Sequence, residues 1–304
     1  MPDRHVDPRL PDFVCVGGQR CATSWLYEAI RGHPALYLPR KEVHFFNRDY
    51  ANGLATYAEL FAPTAPDQRC GEITPDYLTH PDAADRLAAD LPQHTRFLVL
   101  IRDPIDRAYS HYQLTRCHGG RTREMTFLEA CQRRPHLIDG SRYGRHLHRL
   151  IDTVGRERVQ AWTDRDITDR PTEMLAEVFA WLDVDTAYAP RDLTARHNVS
   201  TGSAWQARLN LPTLLATLNR SPLGPAYRGL RRSSLGHRLR RALNGPAAPT
   251  KRPAPTPDER RALWPTFAHD VDQLERLTGL DLDHWRLANH DAPASTISPI
   301  RRAA

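Results

Sequence analysis

The chain of 304 residues predicts an α/β fold: a single domain with a central, mainly parallel sheet flanked by helices. Three observations lead there. Short apolar runs alternate along the chain with helical patterns, the signature of a sheet wound with helices. The run within Arg96–Ile101 (RFLVLI) is unbroken by polar residues, as in a strand buried on both faces. The first run, Phe13–Val16, enters a pair of glycines and then a helical pattern, making a strand–turn–helix unit.

The elements follow in order. Pro11 and the glycines bound the strand Phe13–Val16. Thr23 or Ser24 is expected to cap a helix through Arg31 whose apolar side holds Trp25, Leu26, Ala29 and Ile30. Arg69–Glu72 reads as a short strand and Pro81–Leu91 as a helix. After strand Arg96–Ile101, Asp103-Pro104 opens a helix, because proline suits a first helical position. Tyr143–Val154 reads as a helix, Val159–Trp162 as a strand and Thr172–Leu182 as a helix. An amphipathic helix is expected over Pro257–Leu277, ending near Gly279. Residues 1–12 read as a polar, proline-bearing extension, 13–288 as the domain and 289–304 as a tail expected to be loose. An arginine-rich insertion, expected to be mostly helical, spans about 206–252. Within it, Leu230, Leu235, Leu239 and Leu243 fall along one helical side of the 228–241 region, which reads as a solvated amphipathic face.

Composition narrows the function. Hydrophobic residues are 40% and charged residues 26%, as in a globular protein. The net charge of +6 suits an anionic partner. Lys41 and Lys251 are the only lysines, so nearly all positive charge is arginine, which a GC-rich genome explains. Five cysteines make no CxxC and no paired framework, and the polar N-terminus is no signal peptide, so a cytoplasmic location is expected. No apolar stretch reaches the ~18–20 residues of a membrane helix. The scattered histidines form no HExxH or Cys/His spacing, so no metal is expected.

Four segments carry chemistry. In FVCVGGQRCATSWLYEAIRGHP (Phe13–Pro34) a strand runs through glycines into a helix start, where backbone N–H groups and the helix dipole favour an anion. Gly17 and Gly18 allow close approach. Gln19, Cys21 and Ala22 complete the turn, Thr23 and Ser24 offer hydroxyls, and Arg20 adds a permanent forked cation. The Gly-Lys-Ser/Thr of a nucleoside-triphosphate loop is missing, and Ala22 stands where a glycine is expected. Taken alone, the segment also reads as an ordinary β-turn-α connection. In LIRDPIDRAYSHY (Leu100–Tyr112), Arg102 leaves the carboxyl end of the clearest strand, where ligands of open α/β sheets bind, and Ser110 lies two turns into the next helix. The two can hold a second phosphate; the alternative is an ion network of Arg102 with Asp103 or Asp106. In PRKEVHFFNRDY (Pro39–Tyr50), Glu42 and His44 flank Val43 and share a face of an extended segment. A carboxylate beside an imidazole can take a hydroxyl proton; the alternative is a Lys41–Glu42 surface pair beside a core histidine. In CGEITPDYL, Glu72 ends a strand as a base or an orienting residue.

Together these segments resemble the sulfotransferases that use 3′-phosphoadenosine 5′-phosphosulfate (PAPS), in the branch of the heparan sulfate sulfotransferases and their bacterial relatives, with a P-loop-like fold. Gly17–Ser24 is similar to that family's 5′-phosphosulfate loop, RDPIDRAYSHY to its 3′-phosphate motif, KEVHFFN to the 3-O-sulfotransferase segment with the catalytic glutamate, and GEITPDY to the second acidic segment. The likeness continues through SRYGRHLHRLI with Tyr143, EVFAWLDV, RHNVS and the last helix before Trp285, covering most of 13–285. It implies sulfuryl transfer from PAPS, leaving adenosine 3′,5′-bisphosphate, to a hydroxyl of a saccharide or secondary metabolite without metal. It implies a base at Glu42 with His44, Glu72 as the second choice, and Arg20 at the bridging oxygen. Tyr143 joins the loop residues, Arg102 and Ser110 at the nucleotide, and Arg196, Lys251 and Arg252 are candidates for a nucleotide-closing loop. Two departures stand out: Arg20 replaces a frequent lysine, and Ile73 replaces the lysine that follows the second glutamate in 3-O-sulfotransferases. The acceptor is expected to be a small molecule or glycan rather than nucleic acid; the oligomeric state is left open. The competing readings are an ATP-dependent phosphotransferase and a non-catalytic anion-binding protein.

Overall fold

A computed structural model describes residues 9–117, 124–190 and 254–290. Five strands form one all-parallel sheet: β1 Phe13–Gly17, β2 Leu36–Tyr37, β3 Arg69–Ile73, β4 Arg96–Ile101 and β5 Val159–Thr163, in the order β2-β3-β1-β4-β5. This is the predicted α/β architecture. Every residue of β1 is buried, and so is β4 after Arg96, because helices cover both faces and leave no polar side.

The described helices are α1 Thr23–Ile30, α2 Leu54–Ala58, α3 Ala83–Asp90, α4 Pro104–Cys117, α5 Phe127–Arg133, α6 Pro135–Asp139, α7 Tyr143–Val154, α8 Asp164–Asp169, α9 Pro171–Trp181, α10 Pro257–Thr278 and α11 Asp283–His290. Local chemistry sets their ends. Asp103 opens α4 by accepting from the N–H groups of Ile105 and Asp106. Thr256 and Glu259 form a capping box ahead of α10, Pro257 takes its first turn, and Gly279 closes it at φ 74°. Asp270 on α10 accepts from the N–H groups of Gly144 and Arg145, capping α7 from another element. Arg260 and Asn289 in turn reach Asp106 and Asp103, so the last two helices fasten the start of α4.

One expectation needs correction: neither Thr23 nor Ser24 caps α1. Ala22 holds that position in a left-handed conformation, φ 63°, with no side-chain cap. Helix α11 runs to His290.

The chain divides into two compact units. The first comprises Met1–Tyr112, Met125–His197 and Pro255–Ala304; the second comprises Gln113–Glu124 and Asn198–Ala254. The arginine-rich insertion lies outside the described residues, as do Arg196, Lys251 and Arg252. No described helix is long and apolar enough to cross a membrane.

Candidate active site

Because the strands are parallel, their carboxyl ends share one edge of the sheet. Every site segment in the described residues leaves that edge. Lys41, Glu42 and His44 follow β2, Thr74 and Asp76 follow β3, the Gly18–Ala22 turn follows β1, Arg102 follows β4 and Asp164 follows β5.

The turn after β1 is fixed from below. The Gly18 N–H donates to the Leu100 carbonyl, and a Cβ on Gly18 would lie 3.1 Å from the Tyr143 ring. A Cβ on Gly17 would come within 2.6 Å of Leu78, closer than packed atoms approach, so this position requires glycine. The Tyr143 hydroxyl stands 3.2 Å from the buried Cys21 thiol, so Tyr143 braces the turn from beneath. Burial pushes the Cys21 thiol up to about 11, and it is a packing group rather than a thiolate. Arg107, fully buried in α4, donates to the Gln19, Leu137 and Ser141 oxygens. His111 sits 3.1 Å from the same guanidinium; burial, then Arg107, lowers its pKa to about 3, so the imidazole is neutral. Arg20 and Ala22 both adopt positive φ, 69° and 63°. This backbone directs the Arg20 side chain to Ser110, whose Oγ accepts from Nε at 3.1 Å. The candidate 5′ loop and the candidate 3′ motif are therefore directly bonded.

Arg102 lies 3.2 Å from Asp164 and 3.9 Å from Asp106. The ion network considered for it does form, with Asp164 as the nearer partner and Asp103 engaged in capping α4. Burial pushes the Asp164 carboxyl up to about 6 against the pull of Arg102.

On the other side, Glu42 lies 2.9 Å from His44 Nε2 and 3.5 Å from Lys41 Nζ. Lys41 also donates to Ser24 Oγ at 3.0 Å. Val43, between the pair, is buried in the core, while Glu42 and His44 are half-buried and adjacent; the segment is not extended, contrary to expectation, because His44 adopts a left-handed φ of 63°. Asp76 joins them: its oxygens accept from Gln19 of the β1 turn and from Arg48. One ligand atom each from Glu42, His44 and Asp76 lies within a 4.8 Å cluster. Lys41 lies beside Glu42, and Gln19 and Arg48 donate to Asp76.

Glu72 occupies different surroundings. It is fully buried and accepts from the Tyr57 and Tyr77 hydroxyls, each at 2.9 Å, and from Thr74 Oγ1 at 2.6 Å. Burial raises its pKa to about 7, while the three hydroxyls pull it down. Thr74 Oγ1, its own proton engaged by Glu72, accepts from the Val43 and His44 backbone N–H groups at 3.1 and 3.3 Å. Glu72 is thus tied through Thr74 to the segment that presents Glu42 and His44.

Sequence reasoning did not single out Thr74, Asp76, Arg107, Tyr57, Tyr77 or Asp164. Arg107 lies within LIRDPIDRAYSHY, and Thr74, Asp76 and Tyr77 within CGEITPDYL, but those segments were read only for Arg102, Ser110 and Glu72.

Comparison with known proteins agrees with the likeness read from the motifs. No family model matches the chain. Human heparan sulfate glucosamine 3-O-sulfotransferase 3B1 is 36% identical over 107 residues, 35% of this chain and 27% of that protein. The membrane-associated sulfotransferase kil1 of Dictyostelium discoideum is 33% identical over 110 residues, 35% of this chain and 23% of its own length. The matched stretch thus spans about a quarter of these relatives. In structure, a sulfotransferase from Alicyclobacillus acidocaldarius aligns with a TM-score of 0.65 at 22% identity, over 91% of this chain and 99% of that one. The fold is that of the sulfotransferases, and the chain is similar in sequence to the heparan sulfate 3-O-sulfotransferases.

Proposed function

We propose that the chain is a PAPS-dependent sulfotransferase that moves the sulfuryl group to a hydroxyl of a saccharide or secondary metabolite. The observation that carries this reading is the juxtaposition of Glu42, paired with His44, and Ser24 of the glycine turn, bridged by Lys41. A candidate base stands beside a candidate anion loop, and the same loop reaches Ser110 through Arg20 at its other end. The sequence likeness to 3-O-sulfotransferases supports the same chemistry.

In this scheme the Gly17–Ser24 loop holds the 5′-phosphosulfate, and Arg102 with Ser110 takes the 3′-phosphate. The acceptor oxygen attacks sulfur as its proton passes to Glu42. The bond between sulfur and the bridging oxygen breaks, its electron pair stays on the departing phosphate, and Arg20 neutralises the charge there. The sulfuryl group ends as a sulfate ester, and the nucleotide leaves as adenosine 3′,5′-bisphosphate. His44 orients Glu42 or shares its proton. Glu72 is an orienting residue: its oxygens are enclosed by Tyr57, Tyr77 and Thr74, away from any acceptor. Lys41, Arg20 and Arg102 supply the positive charge, and the scheme calls for no metal.

The test is transfer of labelled sulfuryl from PAPS to heparosan oligosaccharides and simple alcohols. The reading expects labelled sulfate ester and one bisphosphate per transfer. Transfer of the ATP γ-phosphate in magnesium, with no sulfuryl transfer, would replace it with the phosphotransferase.

A further inference from the structure

We propose that Lys41 is a catalytic residue whose ammonium contacts an oxygen of the sulfuryl group during transfer. The inference rests on the sulfuryl-transfer reading and adds a residue to it.

The first observation is geometric. Lys41 Nζ lies 3.0 Å from Ser24 Oγ and 3.5 Å from Glu42 Oε1, with only 13% of its side chain exposed. Ser24 belongs to the loop assigned to the donor, and Glu42 to the acceptor side. A sulfuryl group passing between the two must pass the ammonium that bridges them. The strand end carrying Glu72 supplies no cation, since Ile73 beside it is fully buried.

The second observation is compositional. Of 42 Lys and Arg residues only two, Lys41 and Lys251, are lysine. A chain that meets nearly all of its need for positive charge with arginine has an amine at this site. The chemistry supplies a reason. An ammonium is a compact charge with three donors arranged about one atom; a guanidinium spreads its charge over a plane with fixed donor directions. Two of those donors can serve Ser24 and Glu42, and the third can meet a sulfuryl oxygen. As the group moves from the phosphate oxygen to the acceptor oxygen, its non-bridging oxygens retain negative charge. The point charge stays with them while Arg20 meets the charge left on the nucleotide. No proton moves through Lys41: the acceptor proton still goes to Glu42.

This role separates two ligands that differ only by the sulfuryl group, adenosine 3′,5′-bisphosphate and PAPS. The experiment compares wild type, Lys41→Met and Lys41→Arg. Calorimetry gives bisphosphate affinity, competition gives PAPS affinity, and bisphosphate release with water as acceptor gives turnover. Lys41→Met should keep bisphosphate affinity within about twofold, which also shows that the variant folds. Its preference for PAPS over bisphosphate should fall roughly tenfold, and turnover about 10²-fold or more, the usual scale for losing one donor to developing charge. Lys41→Arg should recover part of the PAPS affinity and little of the turnover. Equal loss of both affinities in Lys41→Met would make Lys41 a brace of the loop and overturn the inference. So would wild-type turnover with an unchanged PAPS preference. Failure of wild type to bind either nucleotide would instead bring down the sulfuryl-transfer reading, and the inference with it.

Discussion

At Ala22 a residue with a Cβ sits in the left-handed region, where L-residues lose roughly 1–2 kcal/mol. A glycine would relieve this at the cost of greater freedom in the unfolded chain. Ala22→Gly should therefore raise stability by about 0.5–1 kcal/mol in denaturant unfolding, and an unchanged or lower midpoint would contradict the strain account. The two glutamates divide more sharply. Glu42→Gln should lower turnover by about 10²–10⁴-fold, the usual contribution of a positioned base, with bisphosphate affinity unchanged by calorimetry. Glu72→Gln should act less directly, by disturbing Thr74 and the backbone it holds. It should also change the pH dependence of stability. Burial raises the Glu72 pKa from 4.5 to about 7. Between those values the folded protein keeps a proton that the unfolded chain has released, so Glu72 makes stability fall as pH rises through that window. Glu72→Gln should remove this component from melting temperatures measured between pH 5 and 7.5; identical slopes would contradict the assigned burial. The spacing in KEVHFF made Glu42 and His44 legible as neighbours, though the left-handed turn at His44 was not. It could not reveal Thr74 or Asp76, because a period of two names a side and not the partner some thirty residues away.

Elements were legible where one physical cause dominated. The apolar run of β4 has one reading, and the capping box, first-turn proline and final glycine bracket α10 within a residue or so of its expected ends. Helix α8 was missed because it buries none of its residues and so shows no apolar stripe. Strand β2, two residues long, is too short to show a period. Helix α5 did have a signal in Thr126 and Glu129, whose capping box the structure forms. The junction of β4 with α4 carries its own prediction. If Arg102 takes the 3′-phosphate, Arg102→Ala should weaken adenosine 3′,5′-bisphosphate binding at least tenfold and leave ADP, which lacks that phosphate, nearly unchanged. Equal losses for both nucleotides would remove Arg102 from the 3′ position and leave it as the ion-pair partner of Asp164.

For the whole molecule, the decisive fact is that five parallel strands deliver their following segments to one edge of the sheet. Residues 24, 42, 74, 102 and 164, far apart in the chain, become neighbours of one another or of shared partners only through the order β2-β3-β1-β4-β5. Alternating strands and helices announced that kind of sheet but not the strand order, which depends on long-range pairing. On the proposed reading, that one edge presents a donor loop, a base and a second phosphate site, with arginine and lysine charge where a triphosphate–magnesium grip would otherwise stand. The most direct test of this claim is calorimetric titration with adenosine 3′,5′-bisphosphate, compared with ADP and ATP, with and without magnesium. Tight binding of the bisphosphate over both, unaffected by magnesium, is the predicted result. Preference for ATP that depends on magnesium would contradict the account.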